Sequence, residues 1–509
     1  MLTRIKGAKC IGIDAVEVTV EVDIDSGVGI HLVGLADIAV KESLLRTTTA
    51  LTSSGYRIPG RKIVINLAPA DMKKNGSGFD LPIAVGIIAA SGQEELPDAG
   101  SYLIMGELGL DGSVRYIPGA LVYAEFAARS GLSGIILPVS AAPEAAEIEG
   151  VRVFGVKSLD DAVRILRGAE DCRELEIRKP DGSRRTCRPA PEVDFADIIG
   201  QESAKRGMEI AAAGGHNIIM IGPPGSGKTS LAKALVGILP PMSREEAMET
   251  GKIHSVAGRG GGGLEWARPF RAPHYSASLA AIIGGGSGSS IIPGEVSLAS
   301  NGVLFLDEFG QIPHAVTEAL RGPMEDRKVV ISRMRSKIEF PASFMLVAAS
   351  NPCPCGYYGE GDRCSCSPYQ RAAYLSRLSG PIMDRMDLQV RVRPVPSDEV
   401  LRRKPGERSA AVAARVLAAR EIQRDRFKGE HISSNAGMTT AAVRRFCPLD
   451  DGCQRLLGSL MERQQLSMRA YFRIIKVART IADLAGGKDI GQEHILEAAS
   501  FRLLDRMNL

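Results

Sequence analysis

No stretch of about eighteen apolar residues occurs anywhere in the chain, which leaves no candidate for a membrane-spanning helix. The first residues, MLTRIKGAKCIGIDAVEVTVEV, lack the compact apolar core of a signal peptide and read as strands. With no secretory signal, the nine cysteines are expected to be reduced thiols in a cytoplasmic protein. Neither sign of charge dominates. Lys and Arg number 63 against 59 Asp and Glu, a net +4, so any surface for a polyanion must be local. Repeats and low-complexity segments are absent apart from glycine-rich patches at Gly258–Gly263 and Gly284–Ser290. What is present is the 44% hydrophobic and 24% charged composition of a soluble globular protein. Its 509 residues suffice for about two to four domains.

One stretch stands out, Asn217 to Ser230. Gly222, Pro223, Pro224, Gly225, Ser226, Gly227, Lys228 and Thr229 satisfy G-x-x-x-x-G-K-[ST]. The apolar run Ile218–Ile221 precedes it and a helix-compatible run from Ser230 follows, the strand–loop–helix setting that a phosphate-cradling loop needs. Glycines let backbone N–H groups turn inward to phosphate oxygens, and the helix N-terminus adds its positive dipole end. Lys228 is expected to reach the β- and γ-phosphates and the Thr229 hydroxyl to ligate Mg²⁺. The chain is thus expected to bind a nucleotide.

About ninety residues at the start alternate in strand fashion, as in Val16 to Val22, with a helical run over Ala36–Ser53. Then come a buried strand (Ile63–Leu67), a loop with Ser77, an apolar helix to about Ala90, a hairpin from Gly106, a helix from Ala120 and a strand over Gly134–Pro138. This order resembles the proteolytic domain of Lon protease. The serine counterpart is Ser77 in Asn75-Gly76-Ser77-Gly78, but Leu121 and Val122 stand where the lysine of the Ser–Lys dyad would fall. A serine without a neighbouring base is a weak nucleophile. The resemblance therefore implies a non-proteolytic relative.

The ATPase module is expected from about residue 193, where Asp194 to Gln201 resembles the segment before the first helix of AAA+ ATPases. The apolar strand Gly302–Leu306 ends in Asp307 and Glu308. Beside the phosphate loop, Asp307 would reach Mg²⁺ and Glu308 would polarise the attacking water. A second strand, Phe344–Ala349, leads to Asn351, which fits the polar residue that the family uses at the γ-phosphate. Ser379 to Asp387 resembles the arginine-finger segment; Arg385 would enter the next subunit's site, or pair with Asp384 or Asp387. Helical spacing dominates after Ser397, the character of an AAA+ helical lid, with Arg469 at the start of the helix that carries the second sensor arginine.

Two long stretches narrow the family: Arg268 to Ser278 (RPFRAPHYSAS) and Pro293 to Ala299 (PGEVSLA). With the preceding motifs they resemble the YifB/ComM family of magnesium-chelatase-like AAA+ proteins. The resemblance implies an α/β chain: a Lon-protease-like domain over 1–168, an AAA+ core over 193–395 and a helical lid over 396–509, while the charged, turn-rich stretch 169–192 between the first two reads as a linker or an exposed hairpin. It implies ATP and Mg²⁺ as cofactors and a hexameric ring moving on single-stranded or branched DNA as a helicase in branch migration. The alternative is a chelatase-type ATPase that remodels a protein partner for metal insertion. Arg333, Arg335 and Lys337 would offer phosphates a local positive point, on one strand or at a hairpin tip, or merely blunt a hairpin edge. The glycines around Arg259 suit a second pore loop. Cys353, Cys355, Cys364 and Cys366, spaced C-x-C-x₈-C-x-C, either close a tetrahedral Zn²⁺ site or are a cluster of reduced thiols. The other five cysteines have no such spacing.

Overall fold

The computed structural model describes residues 2–34, 38–74, 76–179, 192–260, 262–286, 291–333, 336–377, 380–395 and 406–502. In the amino-terminal region the alternating pattern becomes a sheet. Along Asp14–Asp25, Ala15, Val18, Val20 and Val22 are buried. The seven strands lie in the order Gly29–Val33, Lys62–Ala68, Asp14–Asp25, Thr3–Ile11, Tyr102–Ile104, Gly134–Pro138 and Arg152–Val156. The middle pairs are antiparallel and the outer pairs parallel. Helix Asp80–Ala90, apolar on every side, is buried along almost its whole length, as a helix inside a core must be. The expected hairpin is present as Glu107–Leu108 against Val114–Arg115. Asn75 lies outside the described residues.

The stretch read as a linker begins as packed chain instead. Ala169–Leu175 forms a 3₁₀ turn with Cys172 buried, and the Ile177 N–H donates to Val153 O at 2.8 Å. Apolar residues at Cys172, Leu175 and Ile177 dock this segment on the amino-terminal core. Residues 180–191, including Cys187, lie outside the described residues.

The central sheet has five strands, all parallel: Phe270–Arg271, Val303–Leu306, Met345–Ser350, Ile218–Ile221 and Leu388–Arg391 in spatial order. Layers cover both faces, so the strands are near-continuous apolar runs; all six residues of Met345–Ser350 are buried. Because every strand points the same way, the starts gather at one edge and the ends at the other. At about 3.3 Å per residue, four-residue strands put roughly 10–13 Å between the two edges.

Helices Ser409–Arg426, Thr440–Phe446, Asp451–Gln464, Met468–Leu484 and Gln492–Ser500 share a core with one face of this sheet. Arg415 and Gln423 fasten them to helix Glu202–Gly214, through Glu209 (2.6 Å) and Ala213 O (3.0 Å). Helix His314–Asp326 belongs to the core on the opposite face. Lys328–Arg333 and Ser336–Pro341 pair as an antiparallel hairpin, which splits the basic residues over two strands. Lys328 and Lys337 both approach Glu339, at 3.1 and 3.8 Å. Met334 and Arg335 lie outside the described residues. Among the described residues no helix is long and apolar enough to cross a membrane.

The amino-terminal region and the central module touch through the helices Ala120–Arg129 and Arg244–Val256. Gly119 N–H donates to Ser255 O at 3.0 Å, and Leu121 is buried beside Gly251. The position at which a Lon-type lysine would stand is thus packed apolar surface, while Ser77 Oγ donates to the Glu107 carboxylate. Gly258 and Gly260, in the patch read as a candidate pore loop, lie against Pro118 and Glu144 of the amino-terminal region.

Candidate nucleotide site

The phosphate loop leaves the end of Ile218–Ile221, the strand flanked on both sides by neighbours. Gly222 lies so close to the next strand's continuation that a Cβ there would sit 2.2 Å from Val392 O. Gly225 and Gly227 have φ of 75° and 88°, the left-handed region that glycine enters at little cost. Gly227 is the N-cap of helix Lys228–Val236 and provides no side chain to satisfy its first N–H groups. Those donors and the positive dipole end suit an anion.

Lys228 is 9% exposed. Its Nζ donates to Gly222 O (2.8 Å), Pro223 O (2.9 Å) and Asn351 Oδ1 (3.3 Å). Burial pulls its pKa down, and the carboxylates of Asp307 and Glu308 oppose that pull. Thr229 Oγ1 lies 3.1 Å from Asp307 Oδ2, although the two residues belong to different strand–loop units. A hydroxyl and a carboxylate converging beside a phosphate-binding loop are the hard oxygen donors that Mg²⁺ prefers. Ser230 follows in the first turn of the same helix. Glu308 takes φ 49° and ψ 43°, and its N–H donates to Asp307 Oδ1 at 2.8 Å. A non-glycine residue held there costs on the order of 1 kcal/mol, and such outliers cluster at functional sites. The turn ends the strand's extended backbone immediately after Asp307.

Asn351 follows the strand Met345–Ser350, whose Ser350 pairs with Ile221 and accepts from the Gly222 N–H at 3.2 Å. The four-cysteine loop begins two residues later. Its thiols gather: Cys353 Sγ is 3.3 Å from Cys355 Sγ and 3.8 Å from Cys364 Sγ, and all four sulfurs lie within 4.8 Å of one another. Backbone N–H groups, Tyr357's foremost, pull the Cys355 thiol down to about 6.

Arg385 and Arg469 are elsewhere. Arg385 precedes the strand Leu388–Arg391, and Asn217, which precedes the phosphate-loop strand, donates from Nδ2 to Arg385 O at 3.2 Å. Both therefore stand at the starting edge, opposite the loop. Arg385 is 6% exposed and pairs with Glu325 and with Pro381 O, rather than with Asp384 or Asp387. Asp387 is occupied by the Asn217 N–H (3.1 Å) and by Arg473 (3.3 Å). Arg385, Arg469, Arg473, Lys476, Arg327 and Arg268 line a single cavity of about 680 Å³ between the sheet edge and the carboxy-terminal helices. Leu378 and Ser379 lie outside the described residues.

Some contacts of motif residues emerge only from the fold. Gln201, at φ 63°, donates to Arg393 O (2.5 Å) and lies 3.5 Å from Ser226 O on the phosphate loop. Arg271 and Glu295 form a bidentate pair (2.6 and 2.8 Å) that joins the two distinctive stretches. Both are present in those stretches, but nothing in their spacing says that they meet.

Family models described as magnesium chelatase, subunit ChlI, match residues 194–400 and 20–141, and a model of the ChlI C-terminal region matches 406–502. The uncharacterized protein YifB of Escherichia coli is 44% identical over 501 residues, 98% of this chain and 96% of its own. Competence protein ComM of Haemophilus influenzae is 42% identical over the same shares. DNA repair protein RadA of Escherichia coli is 27% identical over 112 residues, 22% of this chain and 24% of its own. Full-length identity at this level, on a parallel sheet that carries the phosphate loop, settles membership: the chain belongs to the YifB/ComM family of magnesium-chelatase-like AAA+ ATPases.

Proposed function

We propose that the chain is an ATP-hydrolysing ring motor acting on DNA, a helicase or branch-migration factor of the kind used in recombination or natural transformation. One observation carries the reading. Lys228, Thr229, Asp307 and Asn351 converge at one edge of the sheet, whereas Arg385 and Arg469 line a cavity at the other. A strand's length, roughly 10–13 Å, keeps those arginines from their own phosphate loop. The two halves make one site only when a second copy offers its arginine edge to the first copy's nucleotide, and repeating that contact closes a ring, here a hexamer.

In this site ATP and Mg²⁺ are the cofactors. The loop from Gly222 to Ser230 cradles the phosphates, Lys228 neutralises them, Thr229 and Asp307 hold the metal, and Glu308 polarises water. Asn351 senses the γ-phosphate, and Arg385 and Arg469 act across the interface. The four cysteines are assigned to Zn²⁺. The amino-terminal region is a Lon-like domain without a catalytic base, since Leu121 fills the lysine position, and the carboxy-terminal helices are the lid. The setting is the cytoplasm. DNA as the track is supported by the words that relatives carry, competence for ComM and DNA repair for RadA. The chelatase alternative is not favoured, because the relatives that match the whole length are YifB and ComM.

The test is ATP hydrolysis with and without single-stranded and forked DNA, beside DNA binding in a non-hydrolysable nucleotide. The expected result is stimulation by at least one DNA form. Neither stimulation nor binding with any of them would sink the motor.

A further inference from the structure

We propose that a Zn²⁺ held by Cys353, Cys355, Cys364 and Cys366 is a positioning device for ATP hydrolysis, clamping the loop that starts at Asn351 and rests on the phosphate loop. The proposal rests on the zinc assignment above, and goes beyond it in giving the metal a task.

The sulfur geometry comes first. Zinc–sulfur bonds of about 2.3 Å in a tetrahedron place sulfurs about 3.8 Å apart. Three of the sulfur–sulfur separations here are 3.3, 3.8 and 3.6 Å, with four thiols from two C-x-C pairs facing one point. These lengths are far outside an S–S bond of about 2.05 Å. Cys355 N–H also points at Cys366 Sγ, 3.4 Å away, tying one pair to the other as backbone amides do around thiolate ligands. Binding would release the thiol protons to solvent, leaving four thiolates on the cation.

The loop's surroundings give the site its consequence. Little apolar material fixes the loop: Cys353 is buried, but Cys355, Cys364 and Cys366 are only partly so. Its outer turns rest on Arg363 over the Tyr357 ring and Arg371 over the Tyr358 ring, each 4.5 Å away, contacts worth about 1 kcal/mol at exposed sites. Yet one end of this loop is Asn351, whose Oδ1 meets the Lys228 ammonium. Its middle touches the phosphate loop: Gly356, at φ 87°, is so close that a Cβ would lie 2.6 Å from Pro224 Cδ. Far downstream, Tyr374 OH lies 3.3 Å from Ser350 Oγ, closing the segment back on the strand from which it left. A clamp on the four sulfurs therefore fixes the wall of the nucleotide site from two directions, at Asn351 and at Pro224.

The experiment uses the full chain purified without chelator. Elemental analysis should find about one zinc per chain, lost in Cys364→Ser and kept in Cys364→His, since imidazole replaces thiolate as a zinc ligand. Chelation should lower basal kcat at least tenfold while the Kd for a fluorescent ADP changes less than threefold, and added zinc should restore kcat. Gly356→Ala keeps all four thiols. It should retain zinc yet lower kcat severalfold, which separates positioning from loss of folding. Zinc well below one per chain, or iron with labile sulfide in its place, overturns the metal assignment. A zinc-loaded Gly356→Ala and a zinc-free chain that both turn over at the full rate overturn the positioning role and leave the metal standing. Neither result bears on the DNA motor, which is tested by DNA stimulation and not by basal hydrolysis.

Discussion

The two edges of the central sheet are built on different principles. The phosphate-loop edge is mostly backbone: glycines at Gly222, Gly225 and Gly227, an uncapped helix start and a single buried cation, Lys228. The opposite edge is mostly side chains, a cavity whose arginines and lysine are held by scattered partners such as Glu325, Asp387 and Phe344 O. Backbone donors come preorganised by local sequence, so one short motif suffices to build the phosphate cradle of the first edge. Side chains on separate elements must be brought together by tertiary packing, so the segment around Arg385 signals one member of the second edge but not its partners. If the two edges make one site across a subunit contact, as proposed, that site responds to what lies between subunits.

The first way to break this comparison is Glu308→Gln. It leaves Lys228, Thr229 and Asp307 in place, so nucleotide binding should persist, while turnover should fall by about 10²–10⁴-fold because the water loses its base. Phosphate release measured beside a fluorescent-nucleotide titration checks it. Retention of more than a tenth of the turnover would show that Glu308 does not act on water.

Arg385→Ala attacks the other edge. If the two edges belong to one composite site, hydrolysis should fall about 100-fold or more, within the range seen when a guanidinium is withdrawn from a transferring phosphoryl group. Mixing Arg385→Ala with Glu308→Gln subunits should restore activity at interfaces that pair an intact loop edge with an intact arginine edge. No recovery at any mixing ratio, or full activity of Arg385→Ala alone, would confine each edge to its own chain. Because Glu325 now holds Arg385, Glu325→Gln is a finer probe: freeing the guanidinium should alter the rate without abolishing it.

How much of this was legible in the sequence follows the same division. Ile218–Ile221 and Met345–Ser350 read as strands because both faces are covered, which removes alternation and leaves plain apolar runs. Asp307 could be linked to Thr229 because an apolar strand ending in carboxylates is itself a signal. The partner of Arg385 was not legible: Asp384 and Asp387 were the near candidates, and Glu325, sixty residues away, is the one that the packing supplies. The contacts of Gln201 are not legible for the same reason, since they depend on where Arg393 and Ser226 come to lie. Ala169–Leu175 reads as linker because it is charged in sequence, whereas in space its few apolar residues anchor it to the amino-terminal core.

The smallest expected effect concerns what holds the arginine edge in place. Asp387 is 8% exposed; burial alone would raise its carboxyl, but the His216 ring 3.4 Å away, Arg473 and Lys476 outweigh burial and hold it well below the usual carboxylate range. A carboxyl depressed in the fold stabilises it above the unfolded value, about 3.9, and that stabilisation is lost as pH falls through the range below it. Arg473→Met removes one of the opposing cations, so the depression shrinks. At pH 7 the variant should melt about 2–4 °C below the parent, the shift for a loss of about 1 kcal/mol in a unit of this size. The gap should hold while Asp387 stays ionised in both folded chains, and should narrow only when pH falls through the variant's own folded-state value, still below the usual carboxylate range. Melting curves of both chains through that value decide it: a gap that stays constant or widens below it would mean that Arg473 supports the edge by packing alone and that the charge on Asp387 is held by its remaining neighbours.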